Sequence, residues 1–393
     1  MYKNKNKGEI YFMFKIRKNE GITLVALVIT IVILLILAGI SISTLTNTGI
    51  FQKAKDAKGA SENAEKGQKQ TLSEYEKELN KYTAQELTDD KINKVLSETE
   101  NIVLKDANGN IFTLPAGFKV VVNDDTGNAK TVDKGIVIED ATDLATEGSQ
   151  FVWVPVGKIY TDVERMEENA KTITLGRYEF DAETGAESEY TGGNVEEDKG
   201  DTNTAFKKWG NTIAKSISEF KTSVTINGGY YIGRYEARTT VERKSKDDDL
   251  TQITEKETDI IYNYMTQSNA ALKAQTMYDN TNFISDLINS YAWDTAISFI
   301  QKCTEQTNYA NQISFNKALL PKGTTTDKQC NIYDMASNIF EWTTETSIKI
   351  KYPNVLRGGC YANDAYHTDN RLTDNTIDSF IYGGFRPILY INN

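Results

Sequence analysis

The spacing of polar and apolar positions changes rhythm three times along the chain. From Gly21 to Gln52 there is no charged residue, and residues 22–42, ITLVALVITIVILLILAGISI, are almost wholly apolar. At about 1.5 Å per residue this run reaches across the roughly 30 Å hydrocarbon layer of a bilayer, so it predicts a membrane-spanning helix. Residues 51–82 are rich in Ala, Glu, Lys and Gln, all favourable in helices. Within them Leu72, Tyr75, Leu79 and Tyr82 recur at i, i+3, i+7 and i+10, an amphipathic stripe. Gly59 and Gly67 predict a bend or break in that helix.

From about residue 102 the pattern becomes short β-type runs. NIVLKDANGNIFTLPAGFKVVV alternates apolar and polar positions around an Asn-Gly turn, a hairpin signal, and GIVIED and QFVWVPVG continue it. GGYYIGRYEAR reads as a compact aromatic strand. SYAWDTAISFIQKC places Trp293, Ala296, Ile297 and Ile300 at helical spacing, predicting an amphipathic helix packed on a sheet. Polar stretches near 158–222 and 239–285, with the acidic clusters VEEDKGD and KSKDDD, read as surface excursions containing some helix. The predicted organisation is residues 1–21, a helix over 22–83, a linker at 84–101, and a domain over 102–393.

Charge orients this arrangement. The chain has 393 residues, 39% hydrophobic and 25% charged, enough apolar content to fold around a core, with room for two or three domains. The net charge is −11, but residues 1–21 carry six Lys/Arg against Glu9 and Glu20. A basic flank before the apolar run places the N-terminus in the cytoplasm and the remainder outside. The acidic bulk argues against nucleic acid as a partner, since that needs a basic face. Cys303, Cys330 and Cys360 have no CxxC spacing, which argues against structural zinc and allows one disulfide at most.

KNEGITLVALVITIVILLILAGISIS resembles the type IV prepilin-type N-terminal cleavage and methylation domain. The resemblance implies that a prepilin peptidase cuts after Gly21, leaving Ile22 as the new, usually N-methylated, N-terminus of a helix set in membrane lipid. Residues 1–21 are then a cytoplasmic leader, and other pilin-like subunits are expected partners. Most pilins carry Glu five residues after the cut; this chain has Ala26 there, which bears on pilus assembly but not on anchoring. The other readings are an uncleaved single-pass anchor and a secretory signal peptide. The latter is disfavoured by the long apolar run and the lack of an A-x-A site.

Farther along, FVWVPVG (151–157), GGYYIGRYEA (228–237), AWDTAISFI (292–300), NIYDMASNIFEWTTE (331–345), VLRGGCY (355–361) and GGFRP (383–387) follow one another. In this order they resemble the formylglycine-generating enzyme/sulfatase-modifying-factor family over roughly residues 102–393. The fold class implied is α+β: an N-terminal pilin-like transmembrane helix followed by a C-type-lectin-like domain. Tyr333, Ile339, Phe340 and Trp342 read as core, and Arg357 and Arg386 as partners of Asp334 or Glu341 within the domain. Asn338 and Glu341 offer oxygens of the kind calcium takes, and relatives bind calcium nearby, but two ligands do not assign a site. No cofactor is therefore predicted.

The oxidases of that family use two reactive cysteines shortly after the RGG phrase. Here those positions are Asn363 and Thr368, and Cys360 is the only thiol in the segment, so no enzymatic activity is expected. A Cys360–His367 dyad is the alternative chemistry, and seven residues of polar loop between them argue against it. What remains is a contact surface over 360–382, with Tyr361, Asn363, Asp364, Tyr366, His367, Asp369, Asn370, Asp374, Asn375, Asp378, Phe380 and Tyr382 as candidate binding residues. Tyr supplies rigid area, and Asn and Asp supply adaptable hydrogen bonds, as in antibody paratopes. The segment contains no Lys, Glu, Gln, Met or Trp, types that make up about a fifth of the chain. These five cannot be reached by mutating the adenines of Asn codons. That pattern resembles the targets of diversity-generating retroelements, which commonly end in such a segment. The expected ligand is an extracellular protein or glycan; the alternative roles are a structural minor pilin subunit and a formylglycine-generating-type oxidase.

Overall fold

The computed structural model describes residues 82–392 except 143, 192–193, 196–213, 246, 249–259, 279–281, 315–316, 322, 348–351 and 376–378, together with some positions between 55 and 80. Gly21, Ile22, Ala26, the apolar run 22–42 and Asp378 lie outside the described residues. Among the described residues no helix is long and apolar enough to cross a membrane. The chain divides into two units, 1–71 and 72–393. In the first, the described positions are helical, Gly59 and Gly67 included.

The second unit begins with more helical positions, where Tyr75, Leu79 and Tyr82 stand exposed. The expected linker over 84–101 is instead folded onto the domain. Gln85–Glu86 pairs in parallel with Ile102–Lys105, Val95 bridges Lys119, and Leu87 and Leu96 pack on the core. Its polar composition concealed this, because strand pairing uses backbone groups that every residue carries. Ile102–Lys105 and Ile111–Leu114 form the expected hairpin, with Gly109 at φ +84° in its turn and Leu104, Phe112 and Leu114 buried.

The larger sheet has six antiparallel strands, in spatial order Phe283–Leu287, Pro387–Ile391, Gly229–Gly233, Gln150–Pro155, Val137–Asp140 and Phe118–Val121. The last strand of the chain is thus locked between two others. Trp153 meets Tyr231 edge to face at 4.9 Å, a favourable aromatic geometry in the core of this sheet. A second sheet is built around Phe340–Ser347, which pairs antiparallel with Asn354–Arg357 and in parallel with Gly383–Phe385; Arg371–Asp374 pairs with Asn354–Arg357.

Among the described residues, helices α1 (Ile217–Asn227), α2 (Gln267–Gln275) and α3 (Ser290–Cys303) pack against this framework. Helix α3 begins where the Asn289 side chain accepts a hydrogen bond from Ala292 N, satisfying one of the free donors of the first turn. It was expected to be amphipathic. Instead Ser290 and all of Ala292–Ile300 are buried, polar positions included, as befits a central helix. The stretches expected as surface excursions also contribute to the interior. Ile159, Ile173, Tyr178 and Phe180 from the first, and Tyr262, Met265, Ala270, Ala271 and Ala274 from the second, join the hydrophobic core.

Candidate binding surface

The frame of 360–382 is set by the second sheet. Phe340–Ser347 is buried at every position, and Trp342 donates its indole N–H to Met265 O at 2.7 Å. Ile339 and Tyr333 are buried with it, as expected. Gly358 lies at φ +79°, and a Cβ there would come 2.5 Å from Met335 O; one on Gly359 would come 2.4 Å from Ala336 O. The chain can leave its strand this close to the 335–336 backbone only without side chains.

Arg386 grips Glu341 as expected, with Nη2–Oε1 at 2.6 Å and Nε–Oε2 at 3.0 Å, and also donates to Gly233 O and Tyr333 O. Arg357 does not take Asp334 or Glu341. With both Glu341 oxygens occupied by Arg386, it turns to Asp294 of α3 (2.5 Å) and to Glu345 (3.2 Å). Arg371 binds the same two carboxylates, at 2.5 and 2.8 Å, and Arg177 adds a contact to Glu345. The Tyr190 ring lies 4.0 Å from the Arg371 guanidinium and 5.0 Å from that of Arg177. Three guanidiniums thus surround two buried carboxylates. Burial pushes Glu345 up, but Arg371, Arg357 and Arg177 outweigh it and hold its carboxyl below the usual range.

The same group fixes the loop backbone. Arg357 donates to Asn370 O (2.9 Å) and Asp369 O (3.2 Å), and Trp293 of α3 donates to Thr368 O (2.9 Å). Thr368 N and Asp369 N donate to Gln312 O and Ala310 O. Sequence reasoning missed Asp294, Glu345, Arg177 and Arg371. The available signal was that Arg371 is the only Arg or Lys in a 23-residue segment otherwise rich in Asp.

The candidate residues sort into four groups. Asn363, Asp364 and Tyr382 are exposed, and Tyr361 and His367 partly so. Tyr366 and Phe380 serve packing as well: Phe340 meets Tyr366 edge to face at 5.0 Å and Tyr382 at 6.2 Å, while Phe380 stacks on Tyr382 at 4.6 Å. Phe340 therefore brings 366 and 382 together from opposite ends of the segment. Asp369 is held by His367 Nδ1 at 2.6 Å, and Asn370 lends its carbonyl to Arg357. Asp374 and Asn375 lie apart, at the far end of the strand beside Asn354.

Chemistry at Cys360 finds little support in this geometry. Its side chain is buried, burial raises its thiol pKa, and the His367 Nδ1 faces Asp369. Cys303, Cys330 and Cys360 are all free thiols. The oxygens considered for calcium are engaged: Asn338 Oδ1 accepts from Leu320 N, and both Glu341 oxygens accept from Arg386. As arranged, these two residues do not fit a calcium site. Among the described residues no group of three or more His, Cys, Asp or Glu side chains is placed to hold a metal ion. A cavity of about 460 Å³ lined by Asn110, Lys158, Tyr160 and Asn227, among others, shares no residue with 360–382.

Residues 270–390 match the family model of the sulfatase-modifying factor enzyme 1-like domain. The C-terminal part of the chain thus carries such a domain, within an α+β, sheet-rich fold. Among solved structures, Treponema denticola variable protein 1 is similar at 12% identity, over 64% of this chain and 98% of that one, with a TM-score of 0.33. The crystal structure of CarF is similar at 13% identity, over 42% of this chain and 87% of that one, with a TM-score of 0.29. No curated protein matches the chain.

Proposed function

We propose that this chain is a membrane-anchored, pilin-like surface protein that recognises an extracellular protein or glycan through its C-terminal loops, without catalysis. The observation that carries the reading is the division of roles within 360–382. The backbone at 368–370 is held by Arg357, Trp293 and the 310–312 segment, while the side chains of Tyr361, Asn363, Asp364, His367 and Tyr382 reach solvent. A contact surface needs a rigid frame beneath side chains free to differ. The oxidase alternative is disfavoured because Asn363 and Thr368 stand where the family's cysteine pair would be.

The test is a combined Tyr361→Ala, Asn363→Ala, Asp364→Ala variant of the full chain, applied to protein and glycan arrays. Lost binding with unchanged surface display supports recognition; unchanged binding to every target leaves a structural pilin-like subunit. For the anchor, mass spectrometry of the native N-terminus should find N-methylated Ile22. An intact leader would favour a plain single-pass anchor. Diversification by a retroelement predicts a near-identical template repeat and a reverse-transcriptase gene beside this one, and a locus lacking both would refute it.

A further inference from the structure

We infer that the recognition surface extends beyond 360–382 to Tyr264, and that its partner is a cationic protein segment presenting Lys or Arg side chains. The inference rests on the reading of 360–382 as a binding surface.

Tyr264 lies just before α2, at φ +52°. A bulky aromatic residue rarely adopts this left-handed conformation, and it persists only where its surroundings enforce it. Here they do. Tyr264 N donates to Phe380 O at 3.2 Å, and Asn263 Nδ2 donates to Ile381 O at 3.0 Å, so this backbone is laced to the end of the candidate segment. From beneath, the buried Arg243 donates to Asn263 O (3.1 Å) and Tyr264 O (3.3 Å). Asn or Gly would satisfy the same backbone at lower cost, so the ring itself is the feature to explain. The half-buried Tyr264 is thereby tied to the stretch 380–382, in which Phe380 stacks on Tyr382 and both Ile381 and Tyr382 are exposed. Burial, and then the nearby Cys360, Tyr264 and Tyr382, push the Tyr361 phenol above its ordinary pKa, in keeping with this clustering.

The border of the platform is acidic. Arg243 also donates to Ser245 O and to Asp248 O, tying these two residues to the Tyr264 backbone. Asp247 and Asp248 are exposed there, beside the exposed Lys244. Within 360–382 Asp364 is exposed, while Arg371 is engaged with Asp294 and Glu345, and His367 with Asp369. Tyrosine faces attract Lys and Arg through the ring quadrupole, and the carboxylates add complementary charge. Together they favour a cationic partner over a neutral sugar or an acidic one.

The experiment measures binding of hexa-arginine, hexaglutamate and a neutral oligosaccharide by the full chain. It compares wild type with Tyr264→Asn, Tyr264→Phe and a loop variant, Asn363→Ala/Asp364→Ala. Asn accepts the left-handed backbone, so Tyr264→Asn should unfold at the same or a higher temperature. The expected result is that hexa-arginine binds and is weakened about 3–30-fold by Tyr264→Asn, the range of a single cation–π contact, but not by Tyr264→Phe. If the loop variant weakens hexa-arginine while Tyr264→Asn does not, the extension to Tyr264 is overturned and the loop reading stands. Preference for hexaglutamate or the oligosaccharide overturns the cationic partner. Indifference of every probe to both the loop variant and Tyr264→Asn overturns the inference and the loop reading together.

Discussion

Arg357 is fully buried and uses its whole guanidinium, on Asp294, Glu345 and the carbonyls of Asp369 and Asn370. Replacing it with Met removes a charge from between two buried carboxylates and two loop carbonyls. Loss of one partner of a buried ionic network costs about 3–5 kcal/mol, and urea unfolding of Arg357→Met should fall in that range. Amide exchange at 368–370 should accelerate in the same variant. Asn363→Ala or Asp364→Ala, by contrast, should shift unfolding by no more than about 0.5 kcal/mol, because these side chains are exposed. Equal effects at Arg357 and Asn363 would refute the separation of frame from surface. For both conspicuous arginines the sequence offered Asp334 or Glu341 as partners, and Arg386 does take Glu341. The partners of Arg357 were not legible, because Asp294 lies on a helix 63 residues away and looks there like an ordinary polar position.

The elements around the segment tell a similar story. Spacing located α3, the 102–114 hairpin and the strand at 229–233, because each has a clear period or turn signal. Spacing did not reveal that α3 is buried all round: Asp294 is hidden against Arg357 and Arg371, and Ser290 and Ser298 are small. Nor did it reveal the pairing of Gln85–Glu86, whose side chains are exposed. The exit from Asn354–Arg357 was more legible, since two consecutive glycines announce a backbone constraint. Gly358→Ala combines a left-handed φ with a Cβ 2.5 Å from Met335 O. The strain alone costs about 1–3 kcal/mol, so thermal unfolding should show at least that loss, and binding should weaken as the loop shifts. A variant as stable as wild type would show that the 335–336 backbone yields.

At the scale of the molecule, the surplus of negative charge is not all on the surface. Asp286, Asp327, Asp334, Glu236 and Glu341 are all buried. Burial is the main cause that pushes each of their pKa values up, to about 7 for Asp286 and Asp327, with neighbouring carboxylates adding to the push at Asp327 and Glu236. In the unfolded chain an Asp titrates near 3.8. Between about pH 4 and pH 7 the native state therefore holds protons that the unfolded chain has already released. Stability falls as pH rises through that window and levels off above it, where both states are ionised. Glu345 runs the other way. Its folded pKa is lowered, so its contribution is present at neutral pH and is lost only on acidification below about 4.5, the unfolded Glu value. The sum predicts a melting temperature higher near pH 5 than at pH 8. A shift of three pKa units corresponds to about 4 kcal/mol for one carboxylate. Asp327 accepts hydrogen bonds from Tyr309 OH at 2.9 Å and Ala336 N at 2.7 Å. Asp327→Asn keeps the shape and one acceptor but cannot ionise, so its stability profile between pH 5 and pH 8 should be flatter than wild type by a few kcal/mol. Thermal unfolding of both proteins across that range decides the matter, and a wild-type stability that rises steadily from pH 5 to pH 8 would mean that these buried carboxylates are not held protonated.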